Sequence, residues 1–401
     1  MSKHVLFVDD EANVLSSLRR LLRGQRSIWD MDFACSGAEA LKIMEEKPID
    51  VIVSDMRMPR MNGAELLSTV SERYPKTVRL ILSGQSEQEK VLRSIGPAHQ
   101  FLAKPCDPDV LIGTINRACN LQSRLSDETL QRIVANIAFL PSLPGLFREL
   151  MQIVESDNCS IQQIGELIGR DLAMSAKVLQ LVNSSFFGLA QHVSCTKHAV
   201  SLLGLNIIKP LVLLAGTYSQ CENPDLDGFS LDRQVDHSLA VATLSRSIAA
   251  SQSNQSHLID DSYVSGMMHD IGKLILAVNM REAYQDVLYS ARDAGCPVWQ
   301  MEQERFGTSH AEIGAYLLAL WGFPNSVVEA VAFHHTPSLA AHEQFSPLTA
   351  VHFANALLTP SDSSIPPQSS WDIDYEKTLD LSKQVEAWSY LTPVRATKSS
   401  V

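Results

Sequence analysis

The sequence predicts an α/β doubly wound five-stranded parallel sheet followed by an all-α domain. Three observations carry this expectation. Short apolar runs alternate with amphipathic stretches as far as Leu121. The strand signal stops after about residue 130. Helical periodicity, broken by Pro and Gly, takes over from there.

The expected strands are Val5–Val8, Met31–Ala34, Val51–Val53, Val78–Leu82 and Phe101–Ala103. The amphipathic stretches between and after them are Ala12–Leu22, Ala38–Glu46, Ala64–Arg73, Gln88–Ile95 and Asp109–Leu121. Five strands alternating with five helices argue for a parallel sheet covered on both faces, at the spacing of a doubly wound domain. In the second half, Leu143–Val154, Ile161–Ile168 and Ser175–Leu181 carry helical periodicity, with Pro141, Pro144, Gly188, Gly204 and Pro210 as punctuation.

The polar stretch Ser123–Glu128 reads as a hinge or helical linker. The expected division is a first domain at 1–123, a linker at 124–131 and a helical domain at 132–356. Glu222–Gly228, polar and containing Pro224, splits the helical domain into lobes at about 132–221 and 231–356. Residues 357–401 form a tail with a Ser/Pro-rich joint at Thr359–Ser370 and an amphipathic piece at Tyr375–Tyr390 that folds back. No internal repeat is evident.

A chain of 401 residues suits two or three domains. With 45% apolar and 19% charged residues it reads as globular. Its net charge of -12 disfavours nucleic acid, whose phosphates call for clustered Lys and Arg, so no DNA partner is expected. The seven cysteines are scattered, without a C-x-x-C pair, and read as reduced thiols. Met1 to His4 run straight into a strand and then into Asp9 and Asp10, unlike a secretory leader. The longest apolar stretch, near Leu211 to Ala215, is too short to cross a membrane. The expectation is a cytoplasmic protein without membrane insertion.

Polar residues gather at the expected strand ends. Asp9 and Asp10 follow the first strand, Asp55 the third, Ser83 ends the fourth and Lys104 the fifth. In an open parallel sheet these ends line the ligand crevice. Clustered carboxylates repel one another, and Mg²⁺, which prefers oxygen ligands, relieves the repulsion. A hydroxyl and an ammonium beside them suit an acceptor carboxylate with a cation at developing phosphoryl charge. Any one of these residues alone is an ordinary cap or loop residue; the set at successive strand ends is not.

On Val8-Asp-Asp-Glu11, Ser54-Asp-Met-Arg-Met-Pro-Arg-Met-Asn-Gly63, Leu82-Ser-Gly84 and Phe101-Leu-Ala-Lys-Pro105, the first part resembles the receiver domain of two-component response regulators, over about residues 3–122. The resemblance implies that Asp55 accepts a phosphoryl group from a histidine kinase or phosphotransfer protein. It implies that Asp10, Asp55 and the Arg57 carbonyl hold Mg²⁺ with support from Asp9. Ser83 and Lys104 would bind the phosphoryl group, Gly84 leaves it room, and Phe101 stands at the aromatic switch position. Receivers of this family often pair, so a homodimer is compatible with the sequence.

Histidines concentrate in the second helical lobe: His237, His257, His269, His310, His334, His335, His342 and His352. The strongest local pattern is Gly266-Met-Met-His-Asp-Ile-Gly-Lys273. A His-Asp pair on a helix can offer two neighbouring ligands, and imidazole with carboxylate suits first-row transition metals. An isolated His-Asp or His-His is more often ordinary polarity, and His237 and His310 are what add weight. Asn183-Ser-Ser-Phe-Phe-Gly188 reads as a turn docking two rings into the core.

The helical half resembles the HDOD domain, a relative of the HD metal-dependent phosphohydrolases, over about residues 132–356. The matching pieces include Leu140-Pro-Ser-Leu-Pro144, Ile168-Gly-Arg-Asp-Leu172, the His-Asp segment, Ser309-His-Ala-Glu-Ile-Gly314, Trp321-Gly-Phe-Pro324 and His334-His335. HDOD domains are regarded as regulatory outputs. This copy keeps an HD-type ligand set, His237, His269, Asp270, His310, His334 and His335, with Lys273 after the pair. His352 or Asn355 stands near the late Asp of the enzymes, which is not evident. The Gly-Tyr-Pro of cyclic di-GMP phosphodiesterases is replaced by Thr336-Pro337-Ser338.

Two readings stay open. In the first, phosphorylation of Asp55 repositions an HDOD region that binds an output protein or a nucleotide ligand. In the second, the receiver gates a transition-metal phosphodiesterase or phosphohydrolase.

Overall fold

A computed structural model describes residues 3–84, 98–122, 133–134, 137, 144–155, 160–183, 193–205, 207–208, 211–212, 226–340, 344–358 and 371–391. The expected helix Gln88–Ile95, the linker segment, the Asn183–Gly188 turn beyond its first residue and the Ser/Pro-rich joint lie outside the described residues.

The first region is built from β1 (Lys3–Val8), α1 (Ala12–Leu21), β2 (Trp29–Ala34), α2 (Gly37–Glu46), β3 (Val51–Asp55), α3 (Gly63–Arg73), β4 (Val78–Gly84), β5 (Gln100–Lys104) and α4 (Pro108–Gln122). The five strands form one parallel sheet in the order β2-β1-β3-β4-β5. This is the doubly wound arrangement expected from the sequence. Helices cover both faces, so the central strands are buried throughout their apolar runs, from Val5 to Val8 and Val51 to Val53. Local chemistry sets the helix starts: Ser36 caps α2, and Asn62 with Glu65 forms a capping box on α3. The strand order reverses at β1 and β3, the place where an open α/β sheet leaves its ligand crevice.

The second region is helical: α5 (Pro144–Glu155), α6 (Ile161–Ile168), α7 (Leu172–Val182), α8 (Thr196–Leu203), α9 (Leu231–Gln252), α10 (Ser256–Met268), α11 (Ile271–Asn279), α12 (Arg281–Ala294), α13 (Val298–Phe306), α14 (His310–Leu320), α15 (Asn325–Phe333) and α16 (Pro347–Leu358). α9 and α10 pack along each other, and α16 lies across both. At Gly266 an added Cβ would sit 2.8 Å from the Ala242 Cα, so glycine lets α10 approach the α9 backbone.

The amphipathic C-terminal piece folds back as α17 (Ile373–Thr378) and α18 (Ser382–Ser389). Tyr375 and Trp388 are buried in a core with Val241, Leu348 and Phe353. Trp388 Nε1 donates to Ser251 Oγ at 3.1 Å, satisfying the indole N–H that burial would otherwise strand. No helix among the described residues is long and apolar enough to cross a membrane.

Candidate functional site

The acidic crevice forms at the C-terminal ends of β1, β3 and β5. Lys104 Nζ bridges Asp9 Oδ2 at 2.6 Å and Asp55 Oδ1. The other oxygens of these carboxylates accept backbone N–H groups: Asp9 Oδ1 from Glu11 at 2.9 Å, Asp55 Oδ2 from Arg57 at 2.6 Å. Asp9 and Asp55 are buried, whereas Asp10 is exposed. Burial lifts the Asp55 carboxyl above its ordinary value despite the Lys104 bond. Burial lowers Lys104, but its bonds to Asp55 and Asp9 win and hold it above the usual range. Ser83 is buried on β4, and the register sets it opposite Ala103 and Gly84 opposite Lys104. Gly63 fits tightly here: a Cβ would lie 2.2 Å from the Asp55 carbonyl oxygen, so only glycine lets α3 start against the Asp55 backbone.

The second site gathers His237 from α9, His269 and Asp270 from the α10–α11 junction, His310 from the first turn of α14, and His334 and His335 from the end of α15. The sequence placed His269 and Asp270 on a helix. Instead His269 closes α10 and Asp270 opens α11, and this break turns both side chains inward. Asp270 is shared by two groups whose ligand atoms lie within 4.8 Å of one another: Asp270 with His310, His334 and His335, and Asp270 with His237 and His269. Asp270 Oδ1 lies 3.1 Å from His310 Nε2 and 3.7 Å from His334 Nε2; Oδ2 lies 3.3 Å from His269 Nε2 and 4.0 Å from His237 Nε2. Lys273 Nζ at 2.7 Å and Gln234 Nε2 at 3.0 Å also donate to Oδ2.

The imidazoles are set for ligation. His269 Nδ1 is 2.8 Å from the Gly266 carbonyl, His334 Nδ1 is 2.8 Å from the Val331 carbonyl, and His310 Nδ1 is 2.6 Å from Glu302 Oε2. Each acceptor fixes the proton on Nδ1 and leaves the Nε2 lone pair facing Asp270. Nε2 of His269, Nε2 of His334 and Oδ1 of Asp270 are buried without a hydrogen-bond partner among the described residues. Such atoms cost free energy unless something binds them, and a divalent transition ion fits that donor set. Burial pushes His237 down to about 4, and His334 and His335 well below their ordinary value, which keeps them neutral as ligation requires. Burial would raise Asp270, but His269 and Lys273 outweigh it and hold the carboxyl well below the usual range. Burial would lower His310, but Glu302 prevails and raises it.

His352 does not join the cluster. Its Nδ1 donates to the His334 carbonyl at 2.7 Å and its Nε2 accepts the Asp372 N–H at 2.9 Å, so both ring nitrogens are spent on backbone. Asn355 is the one that reaches in, its Oδ1 3.0 Å from His237 Nε2. Two contributors were missed in the sequence. Glu302 is one of two glutamates in the stretch Glu302-Gln-Glu-Arg305, and nothing there signals that it is the one fully buried. Gln234 lies one turn before His237 on the same helix face, a spacing that could have flagged it.

Both regions match known families. Residues 5–116 match the family described as response regulator receiver domain, and residues 140–337 match the HDOD domain. The chain thus carries a response regulator receiver domain followed by an HDOD domain. An uncharacterised protein of Treponema pallidum is 24% identical over 290 residues, covering 72% of this chain and 53% of that protein. The hydrogenase transcriptional regulatory protein HoxA of Cupriavidus necator is 35% identical over 125 residues, covering 31% of this chain and 25% of that protein. This chain thus spans about half or a quarter of these relatives' length. Among solved structures, a Campylobacter jejuni virulence factor superposes with a TM-score of 0.51 at 20% identity, over 67% of this chain and 95% of that one. The signal receiver domain of an HD domain-containing protein from Pseudomonas fluorescens is 26% identical, over 31% of this chain and 98% of that one, at a TM-score of 0.29.

Proposed function

We propose that the chain works in a phosphorelay: Asp55 accepts a phosphoryl group from a histidine kinase or phosphotransfer protein, and the HDOD region passes the signal to a partner protein or regulatory ligand. The observation that carries this reading is the Lys104 bridge between buried Asp9 and Asp55 at the sheet's switch point. Two buried carboxylates, exposed Asp10 beside them and one lysine leave net negative charge, which fits Mg²⁺. Asp10, Asp55 and the Arg57 carbonyl would hold the ion, with Asp9 in support, and it would supply charge neutralisation to the phosphoryl oxygens. Lys104 would then follow the phosphoryl group and Ser83 would donate to it. The test is labelling by acetyl phosphate, read as a mass increase on intact protein; the native chain labels and Asp55→Asn does not. Labelling of that variant at the native level would refute the assignment.

A second reading, a metal-dependent phosphohydrolase gated by the receiver, is favoured by the anchored imidazoles and the orphaned Nε2 atoms. His237, His269, Asp270, His310, His334 and His335 would hold the ions, which supply a water made nucleophilic at neutral pH. Lys273 and Gln234 would orient Asp270. Asn355 beside His237, where a carboxylate would bind a cation more strongly, weighs towards the regulatory output. Elemental analysis of purified protein and a hydrolysis screen over cyclic dinucleotides and nucleotides separate the two. Absence of Mn, Fe, Co, Ni and Zn sinks the enzyme.

A further inference from the structure

The two sites are joined by two elements in series. β5 ends at Lys104 and begins at Gln100. The Gln100 side chain leaves the receiver: its Nε2 donates to the Leu320 carbonyl at 2.9 Å and lies 3.4 Å from the Ala319 carbonyl. These are the last carbonyls of α14. A helix end leaves such acceptors unserved unless something outside the helix supplies donors. Here Trp321 N–H serves Leu317, Phe323 N–H serves Leu318 and Gly322 N–H serves Ala319. The donor to Leu320 comes from the receiver. Gly322, at φ 79°, leaves room for it, since a Cβ there would come within 3.1 Å of the Gln100 amide. A second bond crosses at the same end of β5, from Gln180 Nε2 on α7 to the His99 carbonyl at 2.8 Å. Both amides are buried.

The other end of α14 is His310. Glu302 Oε2 accepts its backbone N–H at 2.7 Å and faces its ring Nδ1. A Cβ on Gly272 would lie 1.9 Å from the His310 carbonyl oxygen, so α11 touches the α14 backbone there. α14 therefore has little freedom to move without shifting His310 against Asp270, because close-packed elements transmit displacement instead of absorbing it. β5 spans roughly 13 Å and α14 about 15 Å.

We propose that β5 and α14 form a tie, jointed at Gln100, through which the state of Asp55 sets the position of His310 relative to Asp270. The tie rests on the reading of Asp55 as phosphoacceptor. A phosphoryl group there adds charge and draws Lys104 away from Asp9. Lys104 is the last residue of β5, so its displacement loads the strand, and Gln100 delivers it to the helix whose first residue is His310. As a coupling between sites it is reciprocal: a cation bound at His310 and Asp270 would shift the phosphoryl equilibrium at Asp55.

The experiment is hydrogen–deuterium exchange of residues 310–320 in the full chain, with and without beryllofluoride and Mg²⁺, with acetyl phosphate labelling measured on the same preparations. In the native chain the activated state changes α14 exchange by about fivefold, the lower end of ordinary coupling. Gln100→Ala and Gln100→Glu still label but lose that change. Gln180→Ala, which cuts a crossing bond that does not touch α14, keeps it. A chain that labels normally while α14 stays unchanged overturns the tie and leaves the phosphoacceptor reading standing. So does a native-sized response in both Gln100 variants. A native chain that does not label overturns both.

Discussion

In the receiver crevice, buried carboxylates meet a cation that the chain itself supplies; in the helical cluster, buried imidazoles turn lone pairs toward one carboxylate. Lys104 bridges Asp9 and Asp55, and their remaining oxygens take backbone donors. The hydrogen bonds of these two carboxylates are thus served at rest, and extra negative charge on Asp55 would disturb them. At Asp270 the order is reversed. Lys273 and Gln234 satisfy one oxygen, while the other and two neighbouring Nε2 atoms have no hydrogen-bond partner among the described residues. On the proposed reading the difference separates what each site would respond to: the first to a charge added covalently beside its own lysine, the second to a cation captured by unpartnered lone pairs.

The largest effects should separate the sites completely. Asp55→Asn is expected to abolish labelling by acetyl phosphate and leave metal content unchanged. Asp270→Asn is expected to lose the metal from both ligand groups, since both share that residue, and still label, with labelling altered by no more than the about fivefold coupling of the tie. Intact-mass labelling and elemental analysis on the two variants check this. Cross-effects of the same size as the direct ones would break the comparison.

Next in size is Glu302→Gln. The carboxylate holds the Nδ1 proton of His310 and its backbone N–H at once. A neutral amide can present its NH₂ to the ring and favour the wrong tautomer. Metal affinity should fall about 10–100-fold, as for other groups that orient a ligand, measured by competition with a chelating dye. An unchanged affinity would remove Glu302 from the site.

The two sites differ as much in legibility. The crevice could be read because each of its residues lies at a strand end, and strand ends are marked by where apolar runs stop. Asp9, Asp55, Ser83 and Lys104 fell out of that pattern before any contact was known. The cluster is drawn from four helix ends, at His269, Asp270, His310 and His334, with His237 and Asn355 from within α9 and α16, and helical periodicity says little about which of these converge. His352 illustrates the cost. By position it stood as a ligand, yet the fold-back of α17 gives its Nε2 the Asp372 N–H instead. Burial of Glu302 arises from packing of α13 against α14, a long-range fact with no local mark.

His352→Phe therefore tests the boundary of the cluster. Metal content should not change, while two backbone groups lose their partner. The expected cost is about 1–3 kcal/mol of stability, read from urea unfolding. Loss of metal with stability intact would return His352 to the ligand set.

The smallest effect concerns a third lysine environment, at the seam between the regions. Lys104 sits among carboxylates and its pKa is raised; Lys177 is fully buried, 5.0 Å over the Trp321 ring, and burial pushes it down to about 7. The unfolded chain keeps a lysine near its ordinary 10.5. Between these values the unfolded state binds more protons, so Lys177 makes stability rise with pH. Below about 7 both states carry the charge and the cost of burying it is complete. Lys177→Met removes that cost while filling the same space. It should stabilise the chain by about 1–2 kcal/mol at pH 6, because replacing a buried charge by an apolar side chain is often favourable. The gain should shrink steadily as pH rises towards 10, where the native lysine is neutral as well. A gain independent of pH would mean that packing, and not the charge, separates the two variants. A loss at pH 6 would mean that the Lys177 charge is compensated in the fold and holds the seam much as Lys104 holds the crevice.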